Sequence, residues 1–366
     1  MSSRLALDSG ARRWSARAGT TAYLAYERVG FAPGVRAVNV SILLHRNVRF
    51  VTELGPVMRL EWVAWSNPVA VWWVFLVTVS AVNLALLGCL HWFFGKGRLA
   101  SERWTFRLDF MIVLCAAYVF GCAFRATLPR ADVQRICLFD TWLSSVLVGR
   151  SVATIAELCF AAQWAIVLRQ LAKVTQSDWA RNTANAVVPL ILVAECCSWY
   201  AVITTSYLGN AVENSLWTLT FLLIAGAMLR VSIDFSGVVR VAIGLAIAGI
   251  VGYLAFMLTI DVPMYVERWQ ADQSTGKALL GFFTGLEDLS TRWAVTHNFA
   301  AWKDEIAWMS LYFSTSVWMS LALCGFGLLR HHLPRYRRAS TDLHPARIRT
   351  ATVIAPITRR AAASRN

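Results

Sequence analysis

The chain has 366 residues, 57% of them hydrophobic and only 15% charged, with a mean hydropathy of +0.51. Soluble domains carry about 25% charged residues, so this composition excludes an ordinary soluble domain and indicates an integral, multi-pass membrane protein. The formal charge is +14, but no basic stretch is interleaved with aromatics to make a base-stacking surface. Anionic lipid, not nucleic acid, is the partner this charge suits.

The first 68 residues are not membrane-like. Arg4, Arg12, Arg13, Arg17, Arg28 and Arg36 face only Asp8 and Glu27 before position 37, a basic segment that reads as partly disordered, either an organellar transit peptide or a cytosolic tail. Val38 to Leu44 is too short to span a bilayer, and Asn39-Val40-Ser41 matches a glycosylation sequon. Positions 69–330 then read as an all-α polytopic bundle of about seven transmembrane helices. The runs are about Val69–Phe94, Leu108–Ala126, Leu138–Leu171, Ala186–Tyr207, Ala211–Leu229, Val238–Ile260 and Asp304–Leu329. The third is expected to start early, with Asp132 capping a helix after Pro129. That gives about 60 Å of helix to Leu171, twice the hydrocarbon thickness. In the sixth, Gly244, Ala248 and Gly252 share one face, a pattern for close helix packing. Several of the 17 tryptophans, among them Trp72, Trp73, Trp92, Trp104 and Trp302, sit near run ends and suit a headgroup belt. The eight cysteines all fall in or beside apolar runs without a CxxC pair, and read as small buried hydrophobes.

Charge asymmetry orients the bundle. The tail at 331–366 is strongly basic and reads as disordered and cytosolic. The loops carrying Lys96, Arg98, Arg103 and Arg107, then Arg169, Lys173 and Arg181, then Arg230 and Arg240 share its side. The large acidic loop at 261–303 is placed on the other.

The candidate site is built on the third and fourth runs. At about 100° per residue, Asp140, Ser144, Arg150, Ser151, Thr154 and Glu157 form one polar stripe in a segment otherwise fit for lipid. An unpaired charge there would cost at least about 2.5 kcal/mol, so the stripe faces the protein interior. Arg150 and Glu157, seven apart, look too distant to pair reliably, and Glu195 in the fourth run is the expected partner of Arg150. Asn210 and Glu213 have capping-box spacing, which assigns Glu213 to the start of the fifth helix, while Asn214 beyond it could line a cavity. His297 is a candidate for proton chemistry. Arg125, Arg130 and Arg135 suit an anion or a phosphate headgroup.

Absent motifs narrow the classes further. With six histidines there is no HxxxH, HxxHH or HExxH box, and no Walker A or GxSxG segment, so no metal or cofactor is expected. No lysine lies within the seven runs, which argues against a retinal Schiff base. Three readings stand: a transporter of a small solute, ion or lipid; a membrane-embedded enzyme acting on a lipid or isoprenoid, with Glu157 or His297 in acid–base roles; and a seven-helix sensor or assembly factor. An inverted repeat would favour transport, a cavity open sideways to lipid would favour the enzyme, and a filled core the third.

The charge pattern generates a topology test. Single cysteines at Ser274 and Ser340, labelled in sealed vesicles, are expected to react from opposite faces. Labelling of both from one face would contradict seven spans.

Overall fold

The structure is a computed structural model, and it describes residues 62–63, 66–97 and 105–329. The basic segment before position 62, its sequon, Trp104 and the basic tail lie outside the described residues. Among the described residues, seven helices are long and apolar enough to cross a membrane. The chain is an all-α bundle, an integral multi-pass membrane protein.

The first five spans are α1 (Pro68–Gly97), α2 (Thr105–Thr127), α3 (Val146–Thr175), α4 (Asp178–Thr204) and α5 (Tyr207–Ser232). Links of two residues join α3 to α4 and α4 to α5. Gln176 and Thr205 close the preceding helices in the left-handed conformation, and the hydroxyl of Ser177 caps the start of α4. Such short turns force antiparallel neighbours, and α3, α4 and α5 form the tightest part of the bundle. Trp164, Leu168 and Ile224 are fully buried there.

The sixth and seventh spans are each interrupted by a wider turn. The sixth runs through α6 (Gly237–Phe256), a π-helical turn at Met257–Asp261, and α7 (Val262–Ser274). Pro263 has no N–H to donate and its ring crowds the carbonyl four residues back, so a regular α-turn cannot persist at this point. The seventh runs through α9 (Phe299–Leu311), a π-turn at Tyr312–Ser316, and α10 (Val317–Leu329). Here the hydroxyls of Ser310, Ser314 and Ser316 each donate to the carbonyl four residues back, which competes with the helical ladder.

A small cap closes one end of the bundle. Strands β1 (Arg130–Ala131) and β2 (Ile136–Cys137) pair antiparallel, and β3 (Ala294–Val295) joins β2 in parallel. Helix α8 (Phe282–Thr291) packs against α4 so closely that a Cβ on Gly285 would lie 2.0 Å from the Ile203 carbonyl oxygen. The acidic stretch at 261–303 is therefore ordered as α7, α8 and β3.

Three other expectations are corrected. The third helix begins at Val146, because Thr141 and Ser145 cap a 3₁₀ turn and α3 in succession, while Asp132 pairs with Arg130 in the hairpin. Gly244, Ala248 and Gly252 are exposed, and nothing lies within 4 Å of a Cβ placed on Gly244 or Gly252; α6 packs through Val239, Ile243 and Ile250 instead. Trp72 and Trp302 are core residues packed ring to ring at 5.5 Å, not belt residues. All eight cysteines are free thiols. Cys115, Cys122, Cys137 and Cys324 are buried, Cys159 and Cys197 partly so, and Cys89 and Cys196 are exposed.

The contact at Gly285 predicts that Gly285→Ala destabilises the protein by about 1–3 kcal/mol through overpacking. Gly244→Ala, with open space around it, should stay within about 0.5 kcal/mol of the parent. Unfolding in detergent, followed by denaturant or heat, separates the two.

Candidate functional site

The site is centred on Arg150, one turn inside α3 and 5% exposed. Its Nη2 lies 2.8 Å from Glu195 Oε2 on α4 and 3.1 Å from Glu157 Oε2 on its own helix. Its Nη1 lies 3.5 Å from Glu213 Oε1 on α5. Glu157 reaches back along α3, as helical side chains lean toward the N-terminus, and the length of the arginine side chain covers the rest. This is how the seven-residue separation, expected to be too wide, is closed.

Each acid has further partners. Thr154 Oγ1 donates to Glu195 Oε2 at 2.6 Å and accepts from Trp199 Nε1 at 3.1 Å. Glu157 Oε1 accepts from the Tyr312 hydroxyl at 2.8 Å and lies 3.5 Å from Arg125 Nη1. The Arg125 guanidinium lies over the Tyr312 ring, 5.4 Å from its centroid. Spans two, three, four, five and seven thus meet in one charged network. Oxygens of Glu157, Glu195 and Glu213 lie within 4.8 Å of one another, a spacing compatible with a metal ion. The Arg150 guanidinium contacts all three carboxylates and already supplies the positive charge.

Glu213 is the member that sequence reasoning assigned elsewhere. Helix α5 starts at Tyr207, after Ser206, so Glu213 is nearly two turns inside rather than at the cap. Asn210 Nδ2 does reach it, at 3.2 Å, and the local spacing resembles a capping box for that reason. Its burial in a span was the signal that could have found it.

The remaining candidates fall in different places. Asp140 and Ser144 precede α3 and leave the stripe; Asp140 accepts from Trp293 Nε1 at 2.9 Å. Ser151 points its hydroxyl at the Leu147 carbonyl. His297 stacks on Trp62 with centroids 4.2 Å apart and sits 2.9 Å from the Leu138 carbonyl, away from the cavity lining. Arg130 pairs with Asp132 at 2.7 Å and donates to the Ser145 carbonyl at 2.8 Å. Burial pushes the Asp132 carboxyl up, but Arg130, Arg125 and Arg150 outweigh it and hold the group below the usual range. Arg135 is spent on the cap, with Nε 2.8 Å from Asp288 and Nη2 2.7 Å from the Val202 carbonyl. Burial also raises the Cys137 thiol to about 11, which keeps it protonated and inert.

A cavity of about 500 Å³ runs from this network toward the middle of the bundle. Arg125, Arg150, Glu157 and Glu213 form its charged end, and Phe160, Phe221, Ile250 and Met319 its apolar floor. Asp261, Tyr312, Thr315 and Ser316 bring both π-turns to its wall, as wider turns often do at functional sites. Gly252 of α6, with Leu311 and Thr315 of the seventh span, both line the cavity and are exposed on the flank of the bundle. The mouth is therefore lateral, between spans six and seven.

Two substitutions probe this site. Thr154→Val removes a hydroxyl that donates to a buried carboxylate and leaves the Trp199 N–H unpaired, so a loss of about 1.5–3 kcal/mol is expected. Gly149→Ala should cost about 1–3 kcal/mol, since a Cβ there would fall 1.1 Å from Arg130 Nη2 and push the guanidinium off Asp132. Unfolding midpoints in detergent unchanged for both would contradict the described packing. No protein-family profile, curated protein or solved structure matches the chain.

Proposed function

We propose that the protein binds one lipid-like amphiphile, drawn sideways from the bilayer into the cleft between spans six and seven, and acts as a carrier for it. The observation that supports this reading is the shape and polarity of the cavity: a charged end, an apolar floor, and a mouth flanked by Gly252, Leu311 and Thr315. A volume of about 500 Å³ suits a small-molecule site. A purely water-soluble solute would gain nothing from the apolar floor, and an inorganic ion would need far less space.

The alternative, a membrane-embedded enzyme on a lipid or isoprenoid, draws support from the same lateral mouth and from the Tyr312 hydroxyl on Glu157. The carrier reading is stronger for a chemical reason. Both oxygens of Glu157, the acid that lines the cavity beside Tyr312, already accept from guanidinium and hydroxyl donors, whereas a general base must be free to take a proton from its substrate.

Lipid extraction from the purified full chain, followed by mass spectrometry, tests the proposal. A single class of amphiphile is expected to be enriched over bulk lipid and recovered chemically unchanged. Gly252→Trp, which plugs the mouth, should lose most of it. A lipid complement identical in both proteins would contradict the carrier reading, and recovery of a chemically altered amphiphile would favour the enzyme.

A further inference from the structure

The carboxylates around the cavity are not equivalent. Among those lining it, Glu157 and Glu213 face Arg150, Asp132 faces Arg130, and Glu305 faces Arg268 at 3.1 Å. Asp261 is the exception. It is 5% exposed, lies on the π-turn of the sixth span, and receives a hydrogen bond from Asn214 Nδ2 at 2.6 Å. Among the described residues no cationic side chain lies within ion-pair distance of it. Arg268, the guanidinium nearest along the chain, is committed to Asp304 at 3.2 Å and to Glu305, and lies over the rings of Tyr207 and Tyr265.

Two further features share this wall. Tyr253, Phe256 and Tyr265 from the same span, with Trp217 three residues beyond Asn214, all line the cavity. Aromatic faces attract cations, most strongly quaternary or protonated amines removed from water. The lining also carries five carboxylates against three guanidiniums, so an anionic head entering here would meet an excess of like charge. A buried carboxylate without a counterion is unfavourable, and it is relieved either by taking a proton or by a cation that joins it.

We infer that the cavity's amphiphile carries an ammonium or quaternary ammonium head, held against Asp261 among these aromatic rings, with its tail running to Phe221, Ile250 and Met319. This deepens the amphiphile reading and rests on it.

Photolabelling of the full chain in lipid nanodiscs separates the two claims. Three single-chain probes share a tail-end diazirine and carry a trimethylammonium, a sulfate or an uncharged hydroxyl head. Mass spectrometry then quantifies labelled peptides that contain Phe221, Ile250 or Met319. The trimethylammonium probe should label the floor best, and Asp261→Asn should weaken that labelling about tenfold while leaving the hydroxyl probe unchanged. Asp261→Glu should retain the preference, and Asp304→Asn, an acid outside the cavity, should behave as the parent. The ranking of heads on the parent protein stands even if Asp261→Asn fails to fold. Equal labelling by all three heads, or a cationic preference that survives in Asp261→Asn, overturns the headgroup assignment and leaves the amphiphile cavity in place. Absence of floor labelling by every probe overturns both.

Discussion

One guanidinium among three glutamates sets the terms for this bundle. A charged arginine at bilayer depth is tolerated only when its face is turned inward and its charge is answered. Arg150 meets that condition by drawing Glu195 from α4 and Glu213 from α5 to its own helix. The register of three neighbouring helices follows from it, because sliding any one of them by a turn would strand a charge. Glu157 extends the network to Arg125 on α2 and to Tyr312 on the seventh span. Spans one and six lie outside the network. The sixth span contributes one wall of the cavity, packs chiefly on α5, and leaves the gap through which the cavity opens.

The cavity follows from irregular backbone as much as from charge. A regular helix would offer its neighbours a continuous ridge, whereas the π-turns at Met257–Asp261 and Tyr312–Ser316 widen both flanking spans at the same wall. The turn in the sixth span places Asp261 beside Asn214, and that in the seventh places Tyr312 beside Glu157. Chemistry and opening are thereby produced by the same local departures, one set by Pro263 and the other by hydroxyls bonded back along the helix.

Much of this was legible in the residues before any coordinates. Hydropathy located all seven spans, since the cost of an unsatisfied backbone in lipid leaves few alternatives. Arg150, Thr154, Glu157 and Glu195 stood out because polar groups are expensive at that depth. The misreadings share a cause, in that local patterns were overridden by distant contacts. Asn210 and Glu213 have the spacing of a cap, but the helix starts a turn earlier and the glutamate answers an arginine 63 positions away. Leu138 and Phe139 continue an apolar run, yet they follow a hairpin that is locked by Arg135 and β3. Gly244, Ala248 and Gly252 have packing spacing, but all three are exposed, and among the described residues nothing lies within 4 Å of a Cβ on either glycine. Asp261 and Tyr312 carried no signal in sequence, because only the π-turns aim them at a shared space.

The account rests on Arg150 as the charge that the surrounding helices answer, and a double-mutant cycle in lipid nanodiscs tests that most directly. Arg150→Ala is combined with Glu195→Gln and, separately, with Glu157→Gln, and unfolding free energies are measured for each corner. Arg150→Ala alone should cost about 3 kcal/mol or more, because it leaves buried acids uncompensated. Adding Glu195→Gln should recover part of that loss, with a coupling of about 1–3 kcal/mol that exceeds the coupling to Glu157. Coupling near zero to both acids would contradict the account.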